Sequence, residues 1–324
     1  MIREDLAELR ALTGDVDAAL TLGTEALTQR RERADAPDRV LGLELTLGRA
    51  LLVAGRYAEA TACADRAARI DLPAARARAA VLHAQIEIVT GEPARACAEA
   101  RAALQDPELP AEACCEAHEV LGRAARLADL ATAEREFTAA LHLATRHGLG
   151  SWQARALAEL GTVDLLDAMR TDRLEQARRT AVETGSPATE AVVEFHIGEA
   201  LVARGRTADG RAAALRAVRL ARRLGSSILA PALLTLARSH AHERDVDAME
   251  DALAQAVAAA PDDPGVLAGS WGRVRAMLAL HEGDPAGARA ALDNAIAVLR
   301  AAPGHHFPHW GLWALLHAVA GADG

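Results

Sequence analysis

Several side chains in this 324-residue chain are of types that bind metals, attack carbonyls or grip phosphates, so their spacing is the first question. The richest run is His305-His306-Phe307-Pro308-His309, with His317 beyond it. A protein metal centre needs three or four donors converging on one point. Here Pro303 and Pro308 disrupt helical spacing, His305 and His306 point in different directions, and no Cys or paired carboxylate joins the run. It reads as a loop leading into a last helix. His240 and His242 are two apart on a helix, hence on different faces, and cannot chelate together. Cys63, Cys97, Cys114 and Cys115 form no C-x-x-C pair and read as buried free thiols in a reducing compartment. Glu194 and Glu199 read as charged positions on a helix, and no serine or cysteine nucleophile stands on a strained turn beside a base. Lys is absent, so a phosphate loop of the form G-x-x-x-x-G-K-[ST] cannot exist. The expectation is no catalysis and no cofactor in this chain.

Charge and aromatic content narrow the partners. The formal charge is -9, the wrong sign for a chain whose main task is gripping phosphate backbones. One local exception is Arg211, Arg216, Arg219, Arg222 and Arg223. Of these, Arg216, Arg219 and Arg223 stand at i, i+3 and i+7, opposite Ala213, Ala217, Leu220 and Leu224, and read as a solvated outer helix face before an anionic partner site. Four Trp, three Phe and one Tyr are too few to stack single-stranded bases or to line a carbohydrate-processing helical barrel. The longest uncharged stretches, such as Gly225 to Ala237, fall short of the roughly 20 apolar residues that span a bilayer, and Met-Ile-Arg-Glu-Asp is no secretion signal. A cytoplasmic protein without membrane or direct nucleic-acid binding is expected.

About a quarter of the chain is Ala, and its placement shows which elements must position everything else. An apolar helix ending Thr46-Leu47-Gly48-Arg49-Ala50-Leu51-Leu52-Val53-Ala54 is followed by Gly55-Arg56-Tyr57, then by a helix with Ala60, Ala64 and Ala67 on one face, then by Pro73. The frame recurs: Gly14 precedes Ala19 and Ala26, Gly91 precedes Ala96 and Ala103, Gly205 precedes Gly210 and Ala217, and Gly283 precedes Ala288 and Ala295. Small residues stand five and twelve positions after each turn, two helical turns apart, so both face the same neighbour. Weaker copies turn at Ala128, near Asp167 to Thr171, and at Glu243. The period is close to 38. Asp15, Glu92 and Asp284, just after the turn, place negative charge at the start of the next helix. Short Pro- or Gly-bearing connectors separate the hairpins, and none is long enough to be a flexible linker. The expected fold is all-α, about eight helical hairpins plus a terminal helix in one continuous domain over 1–324.

These hairpins resemble the tetratricopeptide repeat, whose marks are a Leu-Gly pair in the first helix, a Gly before an aromatic at the turn, and small residues in the second helix. Leu47-Gly48, Gly55, Tyr57, Ala60 and Ala67 fit it; Leu121-Gly122 with Phe137, Leu160-Gly161, and Ile197-Gly198 with Gly205 hold parts of it. The resemblance implies a right-handed α-solenoid, although the period exceeds the family's usual 34. The stretch Pro308-His309-Trp310-Gly311-Leu312-Trp313-Ala314-Leu315-Leu316, together with the Ala/Arg-rich, Lys-free composition, is similar to the repeat region of LuxR-family, large ATP-binding transcriptional regulators of actinobacteria. That resemblance implies a non-catalytic interaction and signal-relay segment of a longer protein, flanked by an ATPase and a helix-turn-helix. A free-standing tetratricopeptide adaptor or scaffold is the alternative, and a helical enzyme a third, disfavoured one.

By position in the resembling family, Arg49, Gln85, His118, Arg155, Thr162, Glu199, His240 and Arg273 line the concave groove formed by the first helices. Both charge signs are present, which suits a protein or extended peptide better than nucleic acid. The last helix carries Trp310, Leu312, Trp313, Leu315, Leu316 and Val319 around much of its circumference, whereas stable solenoids end on a polar face. Trp310 and Trp313 are therefore expected either to mark an excised segment or to form a self-association interface.

Overall fold

A computed structural model describes residues 16–32, 37–126 and 128–301. Among them every regular element is a helix, in the order α1 (Val16–Glu32), α2 (Pro37–Val53), α3 (Tyr57–Ala68), α4 (Ala75–Thr90), α5 (Pro93–Ala103), α6 (Ala111–Ala125), α7 (Leu130–Arg146), α8 (Gly150–Ala168), α9 (Asp172–Glu183), α10 (Pro187–Ala203), α11 (Thr207–Leu224), α12 (Leu229–Glu243), α13 (Val246–Ala259), α14 (Pro264–Ala268), a π-helical segment (Gly269–Val274), α15 (Arg275–Glu282) and α16 (Pro285–Ala301). Even-numbered helices α2 to α12 open hairpins that the odd-numbered helices close. In the final hairpin α14, the π segment and α15 together make the first helix and α16 the second. The all-α fold of sequential hairpins expected from the period is the one observed. Gly14 and its partner helix, the histidine run from His305, and the Trp310 and Trp313 segment lie outside the described residues.

Turn chemistry sets the hairpins. Gly55, Gly91, Gly205 and Gly283 all have φ between 74° and 91°, the left-handed region that costs a Cβ-bearing residue about 1 kcal/mol or more. Two of the three weaker turns use other residues in the same conformation, Met169 (φ 54°) and Arg244 (φ 59°). Counted from these, the five-and-twelve rule holds: Leu174 and Ala181 follow Met169, Met249 and Ala256 follow Arg244, and all four are buried. The seventh turn is thus one residue later than Glu243, and Ala248, five after Glu243, is only half-buried while Met249 takes the core position. Gly148, Gly185 and Gly225 supply the left-handed residue between hairpins. Asp129, Asp245 and Asp263 cap helices, Asp129 accepting from the backbone N–H groups of Ala131 and Thr132.

Packing divides the chain into two compact units, one comprising the residues up to Val193 with Leu220–Ser226, the other Glu194–Arg219 with the residues from Ser227 onward. In the first unit, Leu41, Leu45 and Leu82 pack over Ala60, Ala64 and Ala67, so that α2, α3 and α4 share one core. The Leu-Gly pairs show why small residues are needed. A Cβ on Gly48 would stand 2.4 Å from Leu82 Cδ2, and one on Gly122 2.4 Å from the Phe137 ring. In the second unit, Ala217, Leu233, Ala256 and Val266 form one cluster, and Ala268, Ala288, Leu292, Ala295 and Leu299 another. Among the described residues no helix is long and apolar enough to cross a membrane.

Candidate functional site

The first helices place the groove candidates, and in both units several of those side chains meet charged groups on neighbouring hairpins. In the first unit Arg49 on α2 grips Glu116 on α6 with Nε and Nη2, each donating to one carboxylate oxygen at 2.6 Å. Burial pushes the Glu116 carboxyl up, and Arg49, with smaller help from Arg155 and Gln85, more than reverses this and holds it below the usual carboxylate range.

One turn further along α6, Glu119 accepts from Arg155 Nη2 at 2.5 Å. Its other oxygen, Oε1, is buried without a hydrogen-bond partner. Burial, aided by the charge on Glu159, raises the Glu119 carboxyl above its ordinary value despite Arg155 and Arg123. The Arg155 guanidinium also lies over the Trp152 ring, 4.2 Å from its centroid, which fixes it by a cation–π contact. Arg123 and Arg126 both donate to Glu159 on α8, and Arg126 reaches the Thr162 hydroxyl at 2.6 Å. His118 takes a different partner, Glu136 on α7, at 2.7 Å.

In the second unit Glu199 on α10 is the collecting carboxylate. It accepts from Thr235 Oγ1 at 2.5 Å and from Arg238 Nη1 at 3.1 Å, both on α12, and from Arg273 Nη2 on the π segment at 3.3 Å, while Arg238 Nη2 lies 2.8 Å from Oε1 and donates to the Glu199 backbone carbonyl at 3.3 Å. Burial pushes the Glu199 carboxyl up, but Arg238 and Arg273, helped by the Thr235 hydroxyl, hold it down at about 2. His240 has no hydrogen bond at its buried Nδ1, the nearest acid being Asp245 Oδ2 at 3.8 Å. On the same helix His242 Nδ1 meets His281 Nε2 at 2.8 Å.

All eight candidates therefore lie on first helices, but in two groups: Arg49, Gln85, His118, Arg155 and Thr162 in the first unit, Glu199, His240 and Arg273 in the second. Sequence reasoning missed their partners. Glu116, Glu119, Glu159 and Arg238 sit on helical positions whose depth no periodicity reveals. A different signal was available for two pairs. Glu44 with Arg66 and Glu194 with Arg216 occupy the same places in their repeats, eleven before and eleven after Gly55 and Gly205, and both pairs form two-pronged bonds of 2.7 to 2.9 Å. Glu194, which read as a surface charge, is 1% exposed. Arg216 is taken out of the basic stripe by this pairing, leaving Arg219 and Arg223 exposed. Burial is the largest cause pushing the Cys63 thiol up to about 11 and the Cys115 thiol up to about 12, which disfavours the thiolate at both. Among the described residues no three His, Cys, Asp or Glu side chains are grouped to hold a metal ion.

Leu-Gly pairs on the first helices, left-handed turns and small residues facing the next hairpin together define a tetratricopeptide-like repeat. The comparisons agree on the fold. No family model and no curated protein matches the sequence. Solved structures do match. One is a Rap protein complexed with Competence and Sporulation Factor, at a TM-score of 0.62 and 13% identity, covering 99% of this chain and 98% of that one. Another is aspartyl phosphate phosphatase F from Bacillus subtilis, also at 0.62 and 13%, covering 87% and 76%. A third is the apo form of the quorum sensor NprR from B. thuringiensis, at 0.56 and 8%, covering 98% and 97%. At such identities the likeness establishes the fold and nothing finer.

Proposed function

We propose that this chain is a non-catalytic interaction and signal-relay region that binds a protein segment or extended peptide on its first-helix face. The observation that carries the reading is made within each unit by itself: Arg49 and Arg155 in the first, and Arg273 in the second, remain about one-third exposed while buried or half-buried carboxylates fix their geometry. A guanidinium held in place by a second charge recognises a partner's carbonyl or carboxylate with little ordering cost. The same-fold structures named above include one described in complex with a factor and one described as a quorum sensor, which supports a ligand-responsive role. In this reading Trp310 and Trp313 supply a further contact, either within a longer chain or with a second copy.

The finer proposal is that the region belongs to a LuxR-type ATP-dependent transcription regulator, where occupancy of the repeats biases an ATPase and a DNA-binding part. The test of binding is peptide phage display against the purified chain, followed by affinity measurements on Arg49→Ala and Arg155→Ala. Selected peptides should lose affinity in both variants, and indifference to both substitutions sinks the groove assignment. The regulator context is tested by reading the surrounding frame. A phosphate loop upstream and a helix-turn-helix downstream are expected, and stop codons at both boundaries overturn it.

A further inference from the structure

We infer that the cluster of Arg238 and Arg273 around Glu199 is a binding site for the carboxylate of an acidic peptide side chain. The inference rests on the peptide-binding reading and names the chemistry of the peptide at one place on the first-helix face of the second unit.

The first argument is charge balance. Arg238 and Arg273 both turn to Glu199, and among the described residues neither has another acidic partner. Glu199 stays ionised throughout the neutral range, so two fixed positive charges meet one fixed negative charge. The cluster keeps one uncompensated positive charge in a partly buried setting, where an opposite charge is attracted more strongly than in bulk water.

The second argument is an unused donor at depth. Arg238 is 5% exposed, and its Nε is buried without a hydrogen-bond partner. Burying a charged group with a donor unmet costs free energy that a well-placed acceptor recovers. A carboxylate supplies both the acceptor lone pairs and the missing negative charge.

Access is the third argument. Arg273 is 35% exposed on its side chain, so the cluster is open to solvent at one guanidinium. That residue sits in the π-helical segment Gly269–Val274, whose wider turn departs from the helical register on either side of it. Gly269 brings the segment close to α12, since a Cβ there would stand 2.7 Å from Leu234 Cδ1. One excess charge suits one monovalent carboxylate.

The test uses the full chain and a fluorescein-labelled hexaglutamate peptide at low ionic strength, read by fluorescence anisotropy, with hexaglutamine and hexalysine as comparators. Hexaglutamate should bind in preference to both. Arg273→Gln should weaken it at least tenfold with unchanged helical circular dichroism, Arg273→Lys should restore most of the loss, and Arg219→Gln on the exposed outer face should change nothing. Arg238→Gln should weaken it as well; if that variant does not fold, Arg273→Gln decides alone. Equal binding of hexaglutamate and hexaglutamine, an unaltered Arg273→Gln variant, or an equal loss in Arg219→Gln overturns the inference. Displacement of the probe by acetate at low millimolar concentration overturns the peptide source in favour of a small free carboxylate. If phage display yields groove-binding peptides that lack acidic residues and ignore Arg273→Gln, this inference fails while the peptide reading stands. If it yields no peptide at all and hexaglutamate does not bind, both fail.

Discussion

Arg49 and Glu116, 67 residues apart, form a two-pronged ion pair that spans a whole intervening hairpin. The carboxylate is 1% exposed and the guanidinium 31%, so the two ends of the pair are not equivalent. Replacing Arg49 with Met strands a buried negative charge and should cost about 3–5 kcal/mol. Glu116→Gln leaves Arg49 able to turn to water and should cost clearly less. Urea unfolding of both single variants and the double variant measures the asymmetry and the coupling. Equal costs for the two single changes contradict the assignment of Glu116 as the dry end.

Close approach at the Leu-Gly pairs predicts a position-specific response to one added methyl group. On Gly161 a new Cβ would stand 2.6 Å from Leu174 side-chain atoms and 3.0 Å from the Leu174 backbone N, which cannot move cheaply. Gly161→Ala should destabilise by about 1–3 kcal/mol through overpacking. Gly42 also lies within a helix but has nothing within 4 Å of its Cβ position, and Gly42→Ala should stabilise by up to about 1 kcal/mol through helix propensity. Thermal midpoints moving in opposite directions are the expected result.

Left-handed backbone at a non-glycine residue predicts a gain. Met169 has φ 54° at the turn between α8 and α9, and the residue is exposed. Met169→Gly should remove about 1 kcal/mol of backbone strain, partly offset by the extra freedom of glycine in the unfolded chain. A higher urea midpoint is expected, and a fall of more than the experimental error would mean that the Met169 side chain contributes packing.

Acid should weaken the second unit through Glu199. Its folded value of about 2 lies below its ordinary 4.5, so the folded state holds fewer protons there than the unfolded one. The stabilisation is complete above pH 4.5 and is lost as pH falls towards and through 2, amounting to about 3 kcal/mol in all. Glu199→Gln should flatten that portion of the stability-against-pH curve relative to the parent chain. An unchanged slope refutes the ion-pair account.

A separate pH response lies at His242, whose value is depressed by burial first and then by His281 and Arg238. The folded state resists protonation there, so stability is greatest above the ordinary 6.5 and falls as pH drops below it. His242→Asn should remove this loss between pH 6.5 and 5, followed by urea midpoints across that range. Persistence of the full slope would assign the effect to another group.

The amino-acid pattern by itself determined the hairpins. Gly55 with Ala60 and Ala67, and Gly283 with Ala288 and Ala295, report backbone conformation and close packing, both local properties of residue type and spacing. Even two of the weaker turns obey the rule once the left-handed residue is located at Met169 and Arg244, an assignment that needs φ and not composition. Tertiary structure alone decided what the first-helix face carries. Arg49, Gln85, Arg155, Glu199 and Arg273 were recognisable as groove positions, but that Arg49 meets Glu116 two hairpins away, or that Arg238 and Arg273 share Glu199, depends on how closely first helices approach one another. That spacing is set by packing of small residues summed over several repeats. No single repeat encodes it, which is why charges that read as surface positions, Glu194 among them, lie in the interior.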